Sequence, residues 1–175
     1  MPKGLAPPIS ALVDRAHVEE RRIDRAIEAS GLPFTDVSIE VEQLMSELER
    51  NARRAQVLWA YLDEERPEEL RQRLHALRKE TGGDAETARS RERAFDALEH
   101  QLRVGETLRS EYARFVAEVE HLIASLGIVH GELVRISVAD DAIAQDGLAG
   151  QVRDLRQRVG AVAEGMTEAT KELDR

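Results

Sequence analysis

The groups in this chain that could hold a metal or move a proton are five histidines, at positions 17, 75, 100, 121 and 130, and 34 acidic residues. One arrangement has ligand spacing. Glu118-Val119-Glu120-His121 is a Glu-x-x-His, which sets its first and last side chains on one face of a helix, as in di-iron bundles. Such centres take two of these motifs and a carboxylate from each of two further helices, and no second Glu-x-x-His is present. Among 34 acids a chance match is expected, so Glu118 and His121 are read as a solvated pair, and neither a metal nor a cofactor is expected. Cysteine is absent, which removes thiol nucleophiles, disulfides and Cys-ligated zinc. No serine sits in a Gly-x-Ser-x-Gly elbow, and Gly82-Gly83 lacks the lysine of a phosphate loop. Arg50, Arg53 and Arg54 adjoin Glu47 and Glu49, the pattern of a solvated face or of a surface for an acidic helix rather than of phosphate binding. No catalytic residue emerges, and the chain reads as non-enzymatic.

What the composition supplies is helix. Only 3% of residues are aromatic while 34% are charged, the balance of long helices packing aliphatic seams rather than of a globular enzyme. A net charge of -9 argues against nucleic acid and anionic lipid as partners, because both need clustered Lys and Arg. Residues 1–8 lack the apolar core, ~7–15 residues long, of a secretory signal. No window approaches the ~20 apolar residues of a membrane span. A soluble, cytoplasmic protein without membrane contact is expected.

The elements follow from periodicity. Leu108, Tyr112, Phe115, Val119, Leu122, Leu126, Val129, Leu133 and Ile136 step four, three, four, three, the a/d pattern of a heptad seam. Val116 and Ile123 widen that stripe, which predicts burial against more than one helix. The phase fails at Asp140–Gly147, where Asp146-Gly147 predicts a break. It resumes one residue out of step at Leu148, Val152, Leu155, Val159, Val162, Met166, Ala169 and Leu173. Upstream, Val41, Leu44, Leu48, Asn51, Ala55, Leu58 and Leu62 keep the same rhythm, with Trp59 beside them as a core residue. Asn51 is the polar exception: it either fixes register or partner number, or is a satisfied core amide.

Residues 1–9, rich in proline, are expected to form a flexible arm, and Ser10 to cap a helix over 10–29 that Gly31-Leu32-Pro33 stops. Thr35 or Asp36 caps the next, over 37–80, which kinks at Pro67 or stops and restarts at Asp63–Arg66. Thr81-Gly82-Gly83-Asp84 is the strongest turn signal, two glycines able to take positive φ followed by a capping acid. Helices over 85–138 and 148–173 complete the chain, with Gly105 near a one-residue slip of phase. Gly127-x-x-x-Gly131 either admits a close helix neighbour or packs against nothing.

These lengths predict an all-α fold: a long antiparallel helical hairpin (coiled coil), with two further helices forming a four-helix bundle at one end. Residues 10–175 form one elongated domain, and the segment around 67–105 projects from the bundle toward the Gly82-Gly83 tip. The two seams exceed what helix 10–29 can cover, so a coiled-coil scaffold or adaptor is expected, binding itself as a homodimer through 148–173 or another helical protein. A metal- or ligand-binding bundle and a membrane-surface hairpin are the alternatives. The hairpin shape resembles bacterial membrane-stress and scaffold coiled coils in architecture only, since no motif carries a family.

Overall fold

The computed structural model describes residues 4–80, 82–139 and 144–171, which form five helices and no strand. They are α1 (Pro7–Ser30), α2 (Thr35–Glu64), α3 (Pro67–Lys79), α4 (Ala85–Ala139) and α5 (Ala144–Lys171).

The first helix corrects the expected arm and cap. It starts at Pro7, with Ile9 fully buried, ahead of Ser10, whose hydroxyl instead donates to the Pro7 carbonyl at 3.2 Å. Proline suits this position because its fixed φ is already helical and its missing N–H would have had no partner. The preceding Ala6 N–H donates to Gln56 Oε1 of α2 at 2.6 Å, so the chain is already anchored to the bundle before the helix begins. Gly31, at φ 67, ends α1 in the left-handed conformation.

The second helix starts at Thr35, and the residue before it is the buried Phe34, which caps with no side-chain hydrogen bond. Apolar anchoring replaces the expected polar cap. The chain stops at Glu65-Arg66 and restarts with Pro67 at the first turn of α3, the second of the two readings of that proline. Gly82 and Gly83 take φ 102 and 100 at the reversal. Asp84 then caps α4 through a 2.8 Å bond from the Thr87 N–H, which holds its carboxyl below the ordinary value. Residues 140–143 lie outside the described residues. α5 already includes Ala144, so Asp146-Gly147, where the break was expected, lies inside a helix.

Pairwise contacts set the directions. Ala6 meets Gln56, and His17 Nε2 lies 3.3 Å from Glu49, so α1 and α2 are antiparallel. Arg15 grips Glu120, and Glu19 reaches Gly127, so α1 and α4 run parallel. Arg153 holds Glu40, and Asn51 bonds to Val159, so α2 and α5 also run parallel. Arg158 against Glu118 and Gly165 under Glu111 make α4 and α5 antiparallel. The four helices form a bundle in the cyclic order α1, α2, α5, α4.

One continuous core joins all four, from Ile9 and Ile23 through Leu44, Leu48, Phe115 and Leu126 to Val152 and Met166. It stops where the arm begins. Beyond Leu70 and Val104 the seam residues Leu74, Leu77, Phe95, Leu98 and Leu102 are half-buried, because only α3 and the start of α4 are there to cover one another. The 13 residues of α3 make this projection about 20 Å long.

Candidate interaction surfaces

The residues named as an interaction seam do come together, in the interior of one chain. Leu108, Phe115, Val119, Leu122, Leu126, Val129, Leu133 and Ile136 of α4 are all buried, and Tyr112 is half-buried between Trp59 and Phe115 at ring separations of 5.5 and 6.4 Å. In α5, Leu148, Val152, Leu155, Val159, Val162 and Met166 are buried too; Leu173 lies outside the described residues. The expectation that a second copy covers the 148–173 stripe is therefore corrected. Helices α2 and α4 of the same chain cover it, since an apolar stripe packs against whichever apolar face the topology brings nearest.

Asn51 is wholly buried, and its Nδ2 donates to the Val159 carbonyl at 2.7 Å while Arg54 donates to its Oδ1 at 3.2 Å. It is a satisfied core amide that pins α2 to α5 within the chain. Both its capacity to donate and its capacity to accept are used, so its burial leaves no orphaned group.

Glu118 and His121 are engaged by one guanidinium, Arg158 lying 3.2 Å from Glu118 Oε1 and 3.0 Å from His121 Nε2. A cation occupies the place a metal would need. Among the described residues no group of three or more His, Asp or Glu side chains is arranged to hold a metal ion. His17 of α1 bridges Glu20 on its own helix at 2.7 Å and Glu49 of α2 at 3.3 Å.

Three acids that periodicity did not single out do structural work at helix crossings. Glu40 is buried and held by Arg153 at 2.8 Å and Arg156 at 3.4 Å. Glu65 closes α2 with a side chain 5% exposed, accepting from the Tyr61 hydroxyl at 3.2 Å and lying 3.9 Å from Arg109. Burial and the neighbouring Glu65 both push the Tyr61 hydroxyl up. Glu120 is paired to Arg15 at 2.8 Å, which holds its carboxyl below the ordinary value.

Glu65 also accounts for Gly105, the glycine near the slip of phase. A Cβ there would meet both Glu65 carboxylate oxygens, and one at Gly165 would lie 2.6 Å from Glu111 Oε2. Each carboxylate packs over the glycine of a neighbouring helix, where a Cβ would displace it. Gly127 is looser, with Glu19 at 3.9 Å, and Gly131 meets nothing within 4 Å, so this pair does not mark a close crossing inside the bundle. A measurable contrast follows. Gly160 has nothing within 4 Å, so Gly160→Ala should gain up to about 1 kcal/mol from helix propensity. In Gly105→Ala displacement of Glu65 cancels or reverses that gain. Denaturant midpoints of the two variants check this, and equal gains would remove the role given to Glu65.

An open groove of about 1110 Å³ lies between α2 and α5. Its walls alternate Glu42, Glu47 and Glu164 with Arg50, Arg54 and Arg156. Arg50 is tied to Glu47 and Arg54 to Asn51, so these arginines form a solvated, internally paired face. The arm differs in charge from everything below it. Between Arg66 and Arg103 it carries nine basic and eight acidic residues, so the excess of acid lies in the rest of the chain.

One helix, Ala85–Val138, contains an 18-residue window apolar enough by length and composition to cross a membrane. This amends the expectation that no stretch comes near one. Leu122, Leu126, Val129, Leu133 and Ile136 in that part of α4 face the bundle core. No protein family, curated protein or solved structure matches the chain.

Proposed function

We propose that this protein is a non-enzymatic coiled-coil scaffold or adaptor, and that the two-helix arm is the part that engages a helical partner. The observation that carries the reading is the contrast between the two regions. The bundle completes its own core, whereas the arm leaves Leu74, Leu77, Phe95, Leu98 and Leu102 half-covered along one strip. A two-helix strip gains burial from a third or fourth helix laid along it, the mode in which an amphipathic helix fills an apolar groove. The near-neutral charge of the arm supports the same reading, since it admits partners that a surface as acidic as the bundle repels.

Photo-crosslinking tests it. A benzophenone side chain at Leu77 or Leu98 should yield discrete protein adducts in cell extract, and one at Glu42 in the α2–α5 groove should not. Adducts from Glu42 alone would overturn the assignment of the arm. Metal analysis of the purified protein addresses the enzymatic alternative: stoichiometric iron, manganese or zinc lost in Glu118→Ala and His121→Ala would replace the scaffold reading.

A further inference from the structure

The arm joins the bundle at one level, and both of its helices are weakest there. On one side α2 passes into α3 through Glu65 and Arg66, whose ψ angles of 136 and 79 take them out of the helix, and Pro67 follows without a backbone N–H to bridge the gap. On the other side α4 runs through unbroken, but the residue facing Glu65 is Gly105, of the poorest helix-forming type after proline. Past this level the two helices have chiefly each other. The first residues of α1 are already at the height of Gln56, and between Leu70 and Val104 no described residue is buried. One buried side chain secures the joint. Glu65, with a side chain 5% exposed, accepts a hydrogen bond from the Tyr61 hydroxyl at 3.2 Å, and its carboxylate fills the space over Gly105 that a Cβ would take. Arg109 of α4 stands 3.9 Å away, beyond hydrogen-bond reach. The other contact at this height, Arg71 to Glu106 at 3.5 Å, is exposed and weak.

We infer that this level is a hinge and that Glu65 is the latch that fixes the angle of the arm. While the carboxylate is seated, the space into which α4 would bend at Gly105 is filled, and the extended link is pinned through the side chain of its own first residue. Once it is withdrawn, both helices can turn at the same height, one in a two-residue link and one at a glycine. A few residues then absorb the whole change while the bodies on either side stay rigid. The latch is light, because a neutral hydroxyl holds the carboxylate and no close ion pair does. The 13 residues of α3 make the arm about 20 Å long, so a bend of about 30° carries its tip roughly 10 Å.

Double electron–electron resonance tests this, and a chain without cysteine accepts a spin-label pair directly. Labels at Val57→Cys on the bundle and Arg89→Cys toward the tip, both exposed positions, should give one narrow distance distribution in the otherwise wild-type chain. Glu65→Ala should widen it roughly twofold or more. Glu47→Ala, which frees Arg50 within the bundle, should leave it unchanged. Combining Glu65→Ala with Gly105→Ala should narrow the distribution again, because alanine stiffens α4 and no carboxylate remains for its Cβ to displace. Loss of fold cannot produce that reversal. A Glu65→Ala distribution no broader than the wild-type one, a double variant as broad as Glu65→Ala alone, or equal broadening in Glu47→Ala overturns the inference. The hinge does not rest on the arm as a partner site, so a chain that shows it without crosslinking through Leu98 loses only the reading of the arm.

Discussion

A chain ending at Asp146 should fail to fold as a bundle. Removing α5 exposes the α2 and α4 surfaces that face it and deletes Leu148, Val152, Leu155, Val159, Val162 and Met166 from the core. At about 1.5–3 kcal/mol for each large side chain, an upper estimate because unfolded chains already bury some apolar surface, the loss equals or exceeds the roughly 5–15 kcal/mol stability of a typical domain. Circular dichroism should show reduced helicity and no cooperative melt. Adding residues 144–175 as a separate peptide should restore both, because the seam is complementary to α2 and α4 whether or not it is tethered. A truncated chain that melts as sharply and as high as the full one would mean that α5 is not part of the core.

The second large effect separates bundle from arm with one chemical change made twice. Phe115 is 1% exposed at the centre of the bundle, beside Tyr112 and Asn51, and Phe115→Ala should lower stability by about 3–5 kcal/mol, the range for truncating a buried phenylalanine where the surroundings cannot collapse. Phe95 is half-buried in the arm, 5.6 Å beneath the Arg78 guanidinium, and water reaches it already. Phe95→Ala should cost about 1 kcal/mol or less and leave the main melting transition in place, with faster amide exchange confined to 67–103. Equal losses at the two positions would show that arm and bundle unfold as one unit.

The helices and the side of each that faces inward were legible in the sequence, because both are set by local periodicity. A seam stepping four and three from Leu108 to Ile136 has one face to bury whatever lies opposite. The reversal at Gly82-Gly83 and the interruption before Pro67 were legible for the same reason: positive φ and a missing N–H are properties of those residues, not of their surroundings. The start of α1 was misjudged because proline at a first turn and proline in a loose arm look alike until Ile9 finds a core.

Only the tertiary structure decided what each face touches. The stripe from Leu148 to Met166 carries no address, since Leu and Val gain the same burial from α2 as from a second copy, and chain topology assigned it to α2 and α4. The polar residues behave likewise. Asn51 meets a carbonyl 108 positions away, Glu40 meets Arg153 across 113, and the cation that engages Glu118 and His121 comes from another helix. Spacing along one helix cannot encode a partner on another, so Glu118 and His121 read as a solvated pair until the fold placed Arg158 against them. Gly105 is the same case: its purpose is the Glu65 carboxylate, which a third dimension alone brings there.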